Sequence, residues 1–210
     1  MDKFFSMTST FSRFMNLLGD VIAISFLWFV CSVPILTLGA ASTAAYYTAA
    51  KCIRHKSGTL FASFLHSFRQ NLKQSVLLTL LFGLLLGVLI LDCSFFFGRS
   101  LIALYFFYFL ILAGLGCAVY AFAWLSRFSM TTGGFLRMSL LLTFRHLPTT
   151  VLNLILLLVC GLGIWLMPWS ILLLPGAAAL TLTFSLEPLL KRYAPKPEEG
   201  SEEAAKWYYQ

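Results

Sequence analysis

Four stretches of this chain contain no Asp, Glu, Lys or Arg: Val21–Ala50, Gln74–Leu91, Ser100–Ser126 and His146–Leu186. They are 30, 18, 27 and 41 residues long. A helix needs about 20 consecutive apolar residues to cross the hydrocarbon layer of a bilayer. Stretches of this length without charge are not expected in a soluble domain, so the sequence predicts an integral membrane protein.

The spans are expected to be helices, because only helices and closed barrels satisfy the backbone hydrogen bonds inside a bilayer. A barrel strand needs about 10 residues that alternate between apolar and polar. The stretch Leu101–Leu125 is instead apolar on every side, and only 11% of the chain is charged, against about 25% in soluble domains. The predicted fold is therefore an all-α bundle of about five transmembrane helices.

The first 50 residues predict a short helix, a span and a break. Aromatic residues at helical spacing in residues 1–20 predict an interfacial helix along the headgroups. The segment Pro34–Gly39 should break the apolar stretch that follows, leaving open whether Val21–Ala50 forms one span or two re-entrant arms. Small residues after the break suit close packing of helices in a membrane. The helix-packing candidates are Gly39, Ala40, Thr43, Ala44 and Tyr47.

The distribution of charge predicts the orientation. Residues 51–73 contain five Lys or Arg and residues 127–145 contain three, with no acid in either segment. Basic loops are retained in the cytoplasm, so both segments and the C-terminus are predicted to be cytoplasmic, whereas the side of the N-terminus stays open. Because the net charge of +7 lies in these loops, no nucleic-acid partner is expected. Residues 1–190 should form one membrane domain and residues 191–210 a polar, mobile cytoplasmic tail.

The basic segment 51–73 also contains an amphipathic helix that should continue into the next span. Its apolar stripe and basic face, together with the later loop, provide candidates for contact with a partner protein. These candidates are Phe64, Phe68, Arg69, Asn71, Arg145 and Pro148. The alternative is that Phe64 and Phe68 face lipid or the bundle core while the basic residues meet anionic headgroups, at about 1 kcal/mol each.

The sequence contains no recognisable catalytic or metal-binding pattern. No GxSxG, HExxH or P-loop motif occurs, and the five cysteines lie more than 20 residues apart. The acids Asp20, Asp92 and Glu187 fall at the ends of predicted spans, where pairing with a nearby base is expected. We therefore predict no catalytic residue, no metal ligand and no cofactor, and a protein that is not an enzyme.

Several segments resemble the YesL family, also known as DUF624. They begin with Gly19-Asp20 followed after seven residues by Trp28. The others are CSVPILTLGAASTAAYY at 31–47, FASFLHSFRQNLKQS at 61–75 and FRHLP at 144–148. The resemblance extends to about residue 190 and is most specific in the N-terminal third.

This resemblance implies a small multi-pass protein of the plasma membrane of Firmicute-type bacteria, of a kind commonly encoded beside carbohydrate ABC importers and their sensor kinases. The expected function is that of a non-enzymatic accessory subunit bound to an importer permease or to the kinase. The alternative is a small stand-alone transporter or channel that acts as a homo-oligomer. Membrane lipids are expected partners in either case.

Overall fold

The computed structural model describes residues 2–128 and 130–193, with side chains from residue 11 onward. All regular elements in these ranges are helical, and no strand occurs among them. Four helices are long and apolar enough to cross a membrane: Phe11–Ser32, Leu60–Phe96, Leu101–Leu125 and Leu147–Leu166. The predicted all-α membrane bundle is confirmed, and the chain has the character of a multi-pass membrane protein.

The first helix, α1, runs without a break over Asp2–Ser32. The interfacial helix predicted for residues 1–20 is thus the first part of a longer helix that continues through Asp20 into the apolar stretch. No proline interrupts this region, and Gly19 has open space around its Cα. That the first turns of α1 lie along the lipid headgroups remains a prediction.

The predicted break at Pro34–Gly39 is confirmed. Pro34 adopts an extended conformation, and a 3₁₀ turn over Ile35–Thr37 follows it. The Thr37 hydroxyl donates a hydrogen bond to the Cys31 carbonyl over 2.6 Å, which satisfies one of the free carbonyls at the end of α1. The chain then re-enters the bundle as α2, Leu38–Thr48, which at 1.5 Å per residue is too short to cross a bilayer by itself.

A π-helical turn over Ala49–Arg54 extends α2. After a short connection in which Lys56 and Gly58 have positive φ, helix α3 runs over Leu60–Phe96. The amphipathic segment and the following span are therefore one unbroken helix, as predicted. A turn at Gly98, again with positive φ, leads into the antiparallel helix α4, Leu101–Leu125.

The remaining helices are α5 (Thr132–Arg145), α6 (Leu147–Leu166) and α7 (Leu174–Tyr193), with a 3₁₀ segment over Pro168–Leu172 before the last. Helices α6 and α7 pack against each other as a hairpin, and Pro175 and Gly176 do not interrupt α7. These two residues lie in the first turn of α7, where the fixed φ of proline suits a helix start.

Helix α7 holds the last apolar stretch of the chain, but it is not among the four helices that are long and apolar enough to cross a membrane. The apolar part of α7 gives way to Glu187, Lys191 and Arg192 in its last two turns. The helix packs against α1 and α6. The tail from residue 194 onward, including most of the predicted mobile segment, lies outside the described residues.

The core has two parts. One surrounds Tyr120 and Trp124 of α4 and includes residues of α3, α5 and α7. The other joins α1, α2 and α7 around Ile24, with Phe64 of α3 fully buried against it. The outward faces of the long helices remain apolar and exposed, as a lipid-facing surface requires.

Candidate functional site

A buried ion pair joins the end of α4 to α7. Nη2 of Arg127 donates to Oε2 of Glu187 over 2.7 Å, and both side chains are only 1% exposed. Arg127 lies two residues after the end of α4, whereas Glu187 lies in the second half of α7. Buried charges of this kind are retained only when they are paired and hydrogen-bonded.

Two further bases approach the same carboxylate from the π-helical turn after α2. Nη1 of Arg54 lies 3.7 Å from Oε2 of Glu187, and Nε2 of His55 lies 3.4 Å from Oε1. Both bases are partly exposed, so they separate the buried pair from the surface. Turns with π geometry are rare and occur frequently at functional sites, which makes this cluster the candidate site of the molecule.

Other contacts tie the cluster to its helices. Arg54 also donates from Nη1 to the Thr183 carbonyl over 2.6 Å, and its guanidinium lies 5.2 Å from the centre of the Phe184 ring. The guanidinium of Arg127 lies 5.7 Å from the centre of the Tyr46 ring. The cluster therefore holds the end of α2, the end of α4 and α7 in one arrangement.

The electrostatics keep Glu187 ionised. Burial by itself raises the pKa of this carboxyl, but the hydrogen bond and charge of Arg127, with smaller contributions from Arg54 and His55, bring the pKa below its ordinary value of 4.5. Among the described residues, two guanidinium groups and the His55 ring face this one carboxylate. Such a cluster can fix helices, and Glu187 is not a proton donor at neutral pH.

A cavity of about 360 Å³ lies beside this cluster. Helices α1, α2, α4, α6 and α7 line it, almost wholly with apolar side chains. Tyr46 belongs both to the cavity wall and to the surroundings of Arg127. The polar groups of the wall include Trp28 and Ser42, which bond to each other through Nε1 and Oγ over 3.1 Å.

The structure separates the residues predicted to contact a partner into two groups. Phe64 is fully buried and stacks on the half-buried Phe68 at 6.4 Å between ring centres. Asn71 donates to the Ser67 carbonyl of its own helix. Phe64 therefore belongs to the bundle core and is not available to a partner. This agrees with the alternative expectation from the sequence.

The other predicted contacts are exposed: Arg69 on α3, Arg145 at the end of α5 and Pro148 in the first turn of α6. The guanidinium of Arg145 lies 5.5 Å from the centre of the Tyr193 ring, and Nε2 of His146 lies 3.1 Å from the same tyrosine's hydroxyl. These contacts hold the last turn of α7 against the second basic segment.

The predicted helix-packing residues lie where α2 enters the bundle. Gly39, Ala40, Thr43 and Ala44 are buried, and a Cβ on Gly39 would overlap the side chains of Thr79 and Phe122. Tyr47 is half-buried, with Nζ of Lys51 at 5.4 Å from its ring centre. Close approach of α2 to α3 and α4 therefore depends on the missing side chain at Gly39.

The sequence predicted that Glu187 pairs with a nearby base. It did not identify any of the three bases that contact Glu187 in the structure. Arg127 is 60 residues away and His55 is 132 residues away, so no local pattern connects them. Among the described residues, no group of three or more His, Cys, Asp or Glu is placed to hold a metal ion.

Comparison with known proteins identifies a family that part of the chain resembles. Residues 21–93 fit the family model described as "Protein of unknown function, DUF624". No curated protein and no solved structure matches the chain. The matched region extends from the middle of α1 to near the end of α3, so it contains Arg54 and His55 of the cluster but neither Arg127 nor Glu187.

Proposed function

We propose that this chain is a non-enzymatic accessory subunit of a membrane complex, bound to a carbohydrate ABC importer or to its sensor kinase in the plasma membrane of a Firmicute-type bacterium. The class of partner and the organism come from the YesL resemblance, and the match to DUF624 over residues 21–93 is compatible with both. The basic segments are placed in the cytoplasm by the positive-inside rule.

One observation carries the proposal: a polar, basic stripe stands exposed on the first half of α3. It consists of His66, Arg69, Gln70 and Lys73. Their spacing of three or four residues puts them on one face of the helix, opposite the buried Phe64. Helix α3 continues without a break to Phe96. A partner bound to this stripe would therefore act directly on a membrane-spanning helix.

The cavity favours this function over transport of a sugar by the chain alone. Passage of a hydrated or hydroxyl-rich substrate requires polar groups that replace its hydrogen bonds. The wall of the described cavity is apolar, and its Trp28 and Ser42 side chains already bond to each other. Robust sugar uptake into liposomes that contain only this chain would instead support the alternative of an oligomeric transporter.

Reversal of charge on the stripe should release the partner. We expect the Arg69→Glu variant, isolated gently from native membranes, to lose most of the permease or kinase that the wild-type chain recovers, because it places a like charge opposite an acidic partner surface. The matched control is Arg99→Glu in the exposed turn at the other end of α3, which should retain the partner.

The co-purification has a clear contrary result. If the wild-type chain is recovered without a permease or kinase in near-stoichiometric amount, the accessory function is wrong. If the Arg69→Glu and Arg99→Glu variants both insert normally and retain the partner equally, the stripe on α3 is not the contact surface. Quantitative mass spectrometry of the purified material distinguishes these results.

Labelling of single cysteines should establish the orientation. In a background without native cysteines, we expect Thr59→Cys to react with a membrane-impermeant maleimide only after the cells are opened. Arg99→Cys and Trp169→Cys, in the turns after α3 and α6, should react on intact cells. All three positions are exposed. Labelling of Thr59→Cys on intact cells would reverse the proposed topology.

A further inference from the structure

The wall of the cavity between α1, α2, α4, α6 and α7 is uncharged. Among the residues that the structure describes, no Asp, Glu, Lys, Arg or His contributes to it. The Trp28 indole donates a hydrogen bond to Ser42 Oγ over 3.1 Å, so these two polar side chains of the wall already bond to each other. The space therefore suits an occupant that carries no charge and needs no hydrogen bond.

The cavity exists because small residues from several helices face one space. They include Ala45 of α2, Ala118 of α4, Gly161 of α6 and Ala178 of α7. Small residues normally let membrane helices approach closely, and in a closed core a large side chain fills the space that a small one leaves. Here the helices leave a volume of about 360 Å³ that none of the described side chains fills.

The size and polarity of this space favour a hydrocarbon chain over water. A cavity of ~150 Å³ lined by apolar side chains stays dry and takes up apolar molecules, and this cavity is more than twice as large. Water would find too few polar partners in it. A hydrocarbon chain would instead restore the dispersion contacts that the lining side chains lack.

The cavity is continuous with the lipid-facing surface. Its lining side chains Leu38, Leu115 and Leu157 are exposed. The last two belong to α4 and α6, which are among the helices long and apolar enough to cross a membrane. Both helices carry further exposed side chains beside the cavity, such as Leu112 and Leu158. A molecule in the bilayer can therefore reach the cavity sideways without passing through water.

We propose that the cavity takes up an acyl chain of a phospholipid from the surrounding bilayer. The headgroup stays outside, because the uncharged wall offers it no partner and burial of a charge without a partner is costly. Acyl chains are the apolar molecules that meet the rim of the cavity at the highest concentration, since they form the hydrocarbon layer itself. This site is additional to the accessory role and does not depend on it.

Two buried residues of α7 can report whether the cavity is occupied. Ala178 and Ala179 line it and are each only 6% exposed, so lipid reaches them through the cavity. The exposed Leu112 of α4 serves as the reference for bulk lipid. The test uses the full chain in phosphatidylcholine nanodiscs that contain a phosphatidylcholine with a diazirine in its acyl chain. After photolysis, mass spectrometry with fragmentation to single residues should find label on both alanines as well as on Leu112.

A leucine at Gly161 should exclude the acyl chain without disturbing the fold. Gly161 lies one helical turn from Leu157 on the face of α6 that lines the cavity, and a Cβ there meets no atom within 4 Å. We expect Gly161→Leu to lower labelling of the two alanines, relative to the reference, at least about tenfold, because its side chain occupies the space of the lipid chain. The matched control is Gly83→Leu in α3, where a Cβ also meets no atom within 4 Å. It lies outside the cavity wall and should leave the labelling unchanged.

The thiol of Cys160 distinguishes a lipid chain from water in the cavity. Cys160 lines the cavity and is a free cysteine. Because reaction of a thiol with an aqueous reagent needs access to water, a small charged methanethiosulfonate should leave Cys160 unmodified in nanodiscs. The same reagent should modify an Arg99→Cys variant, whose new thiol lies in the exposed turn after α3.

Three results would overturn the proposal. Label on Leu112 but not on the two alanines would show that no acyl chain enters the cavity. Equal labelling of the alanines in the wild type and in Gly161→Leu would show that lipid reaches α7 by another route. Modification of Cys160 would show that the cavity holds water. If Gly161→Leu does not elute as a folded protein, Cys160→Phe fills the cavity from the same helix and is read at the same two alanines.

Discussion

The Arg127→Met variant is expected to lose about 3–5 kcal/mol of unfolding free energy, which is the usual effect of removing one partner of a buried ion pair. The methionine has a similar length but leaves the Glu187 carboxylate, 1% exposed, without its 2.7 Å hydrogen bond. Arg54 and His55 remain 3.7 Å and 3.4 Å from the carboxylate, so they cannot replace that bond without movement. Unfolding of the purified protein in mixed micelles with increasing denaturing detergent measures the loss.

A double-mutant cycle shows whether the loss comes from the unpaired charge. Glu187→Leu alone should also destabilise the bundle, because it leaves Arg127 buried without its carboxylate. The double variant Arg127→Met, Glu187→Leu should recover most of the stability, since an apolar pair of similar volume needs no desolvation of charge. Losses that simply add in the double variant would contradict the pairing seen here.

Some features were predictable because their causes are local. The missing charges of Ser100–Ser126 predict a span regardless of what surrounds it, and α4 occupies Leu101–Leu125. The break at Pro34 follows from the missing backbone N–H and the fixed φ of proline, and the 3₁₀ turn over Ile35–Thr37 lies there. In both cases the physical cause lies within the segment itself.

Other features depend on segments far apart in the chain, and no local pattern contains them. The bases nearest to Glu187 in the sequence are Lys191 and Arg192, yet its partners are Arg127, Arg54 and His55. A carboxylate at a span end predicts some base, but helix packing decides which one.

The apolar face of the first half of α3 shows the same limit. The periodicity of its residues identifies the face but does not say whether lipid, a partner or the chain's own core covers it. The structure assigns Phe64 to the core, against α2 and α1.

The Gly176→Ala variant is expected to lose about 1–3 kcal/mol of unfolding free energy, the usual effect of overpacking a well-packed contact. A Cβ at Gly176 would overlap the backbone carbonyl of Val21 in α1, which cannot rotate away, and would lie 2.7 Å from Oγ of Ser25. It would also disturb the hydrogen bond that the Gly176 N–H donates to Ser25 Oγ over 2.8 Å.

The matched control for this substitution is Gly83→Ala in α3, where a Cβ meets no atom within 4 Å. This variant should unfold at or slightly above the wild-type detergent concentration, because alanine is the better helix former by about 1 kcal/mol. Since both changes add one methyl group to a helical glycine, the difference between them isolates the contact of α1 with α7. If both variants unfold like the wild type, α1 and α7 are not in the contact described here. The part of the cavity wall that these two helices form would then also be wrong.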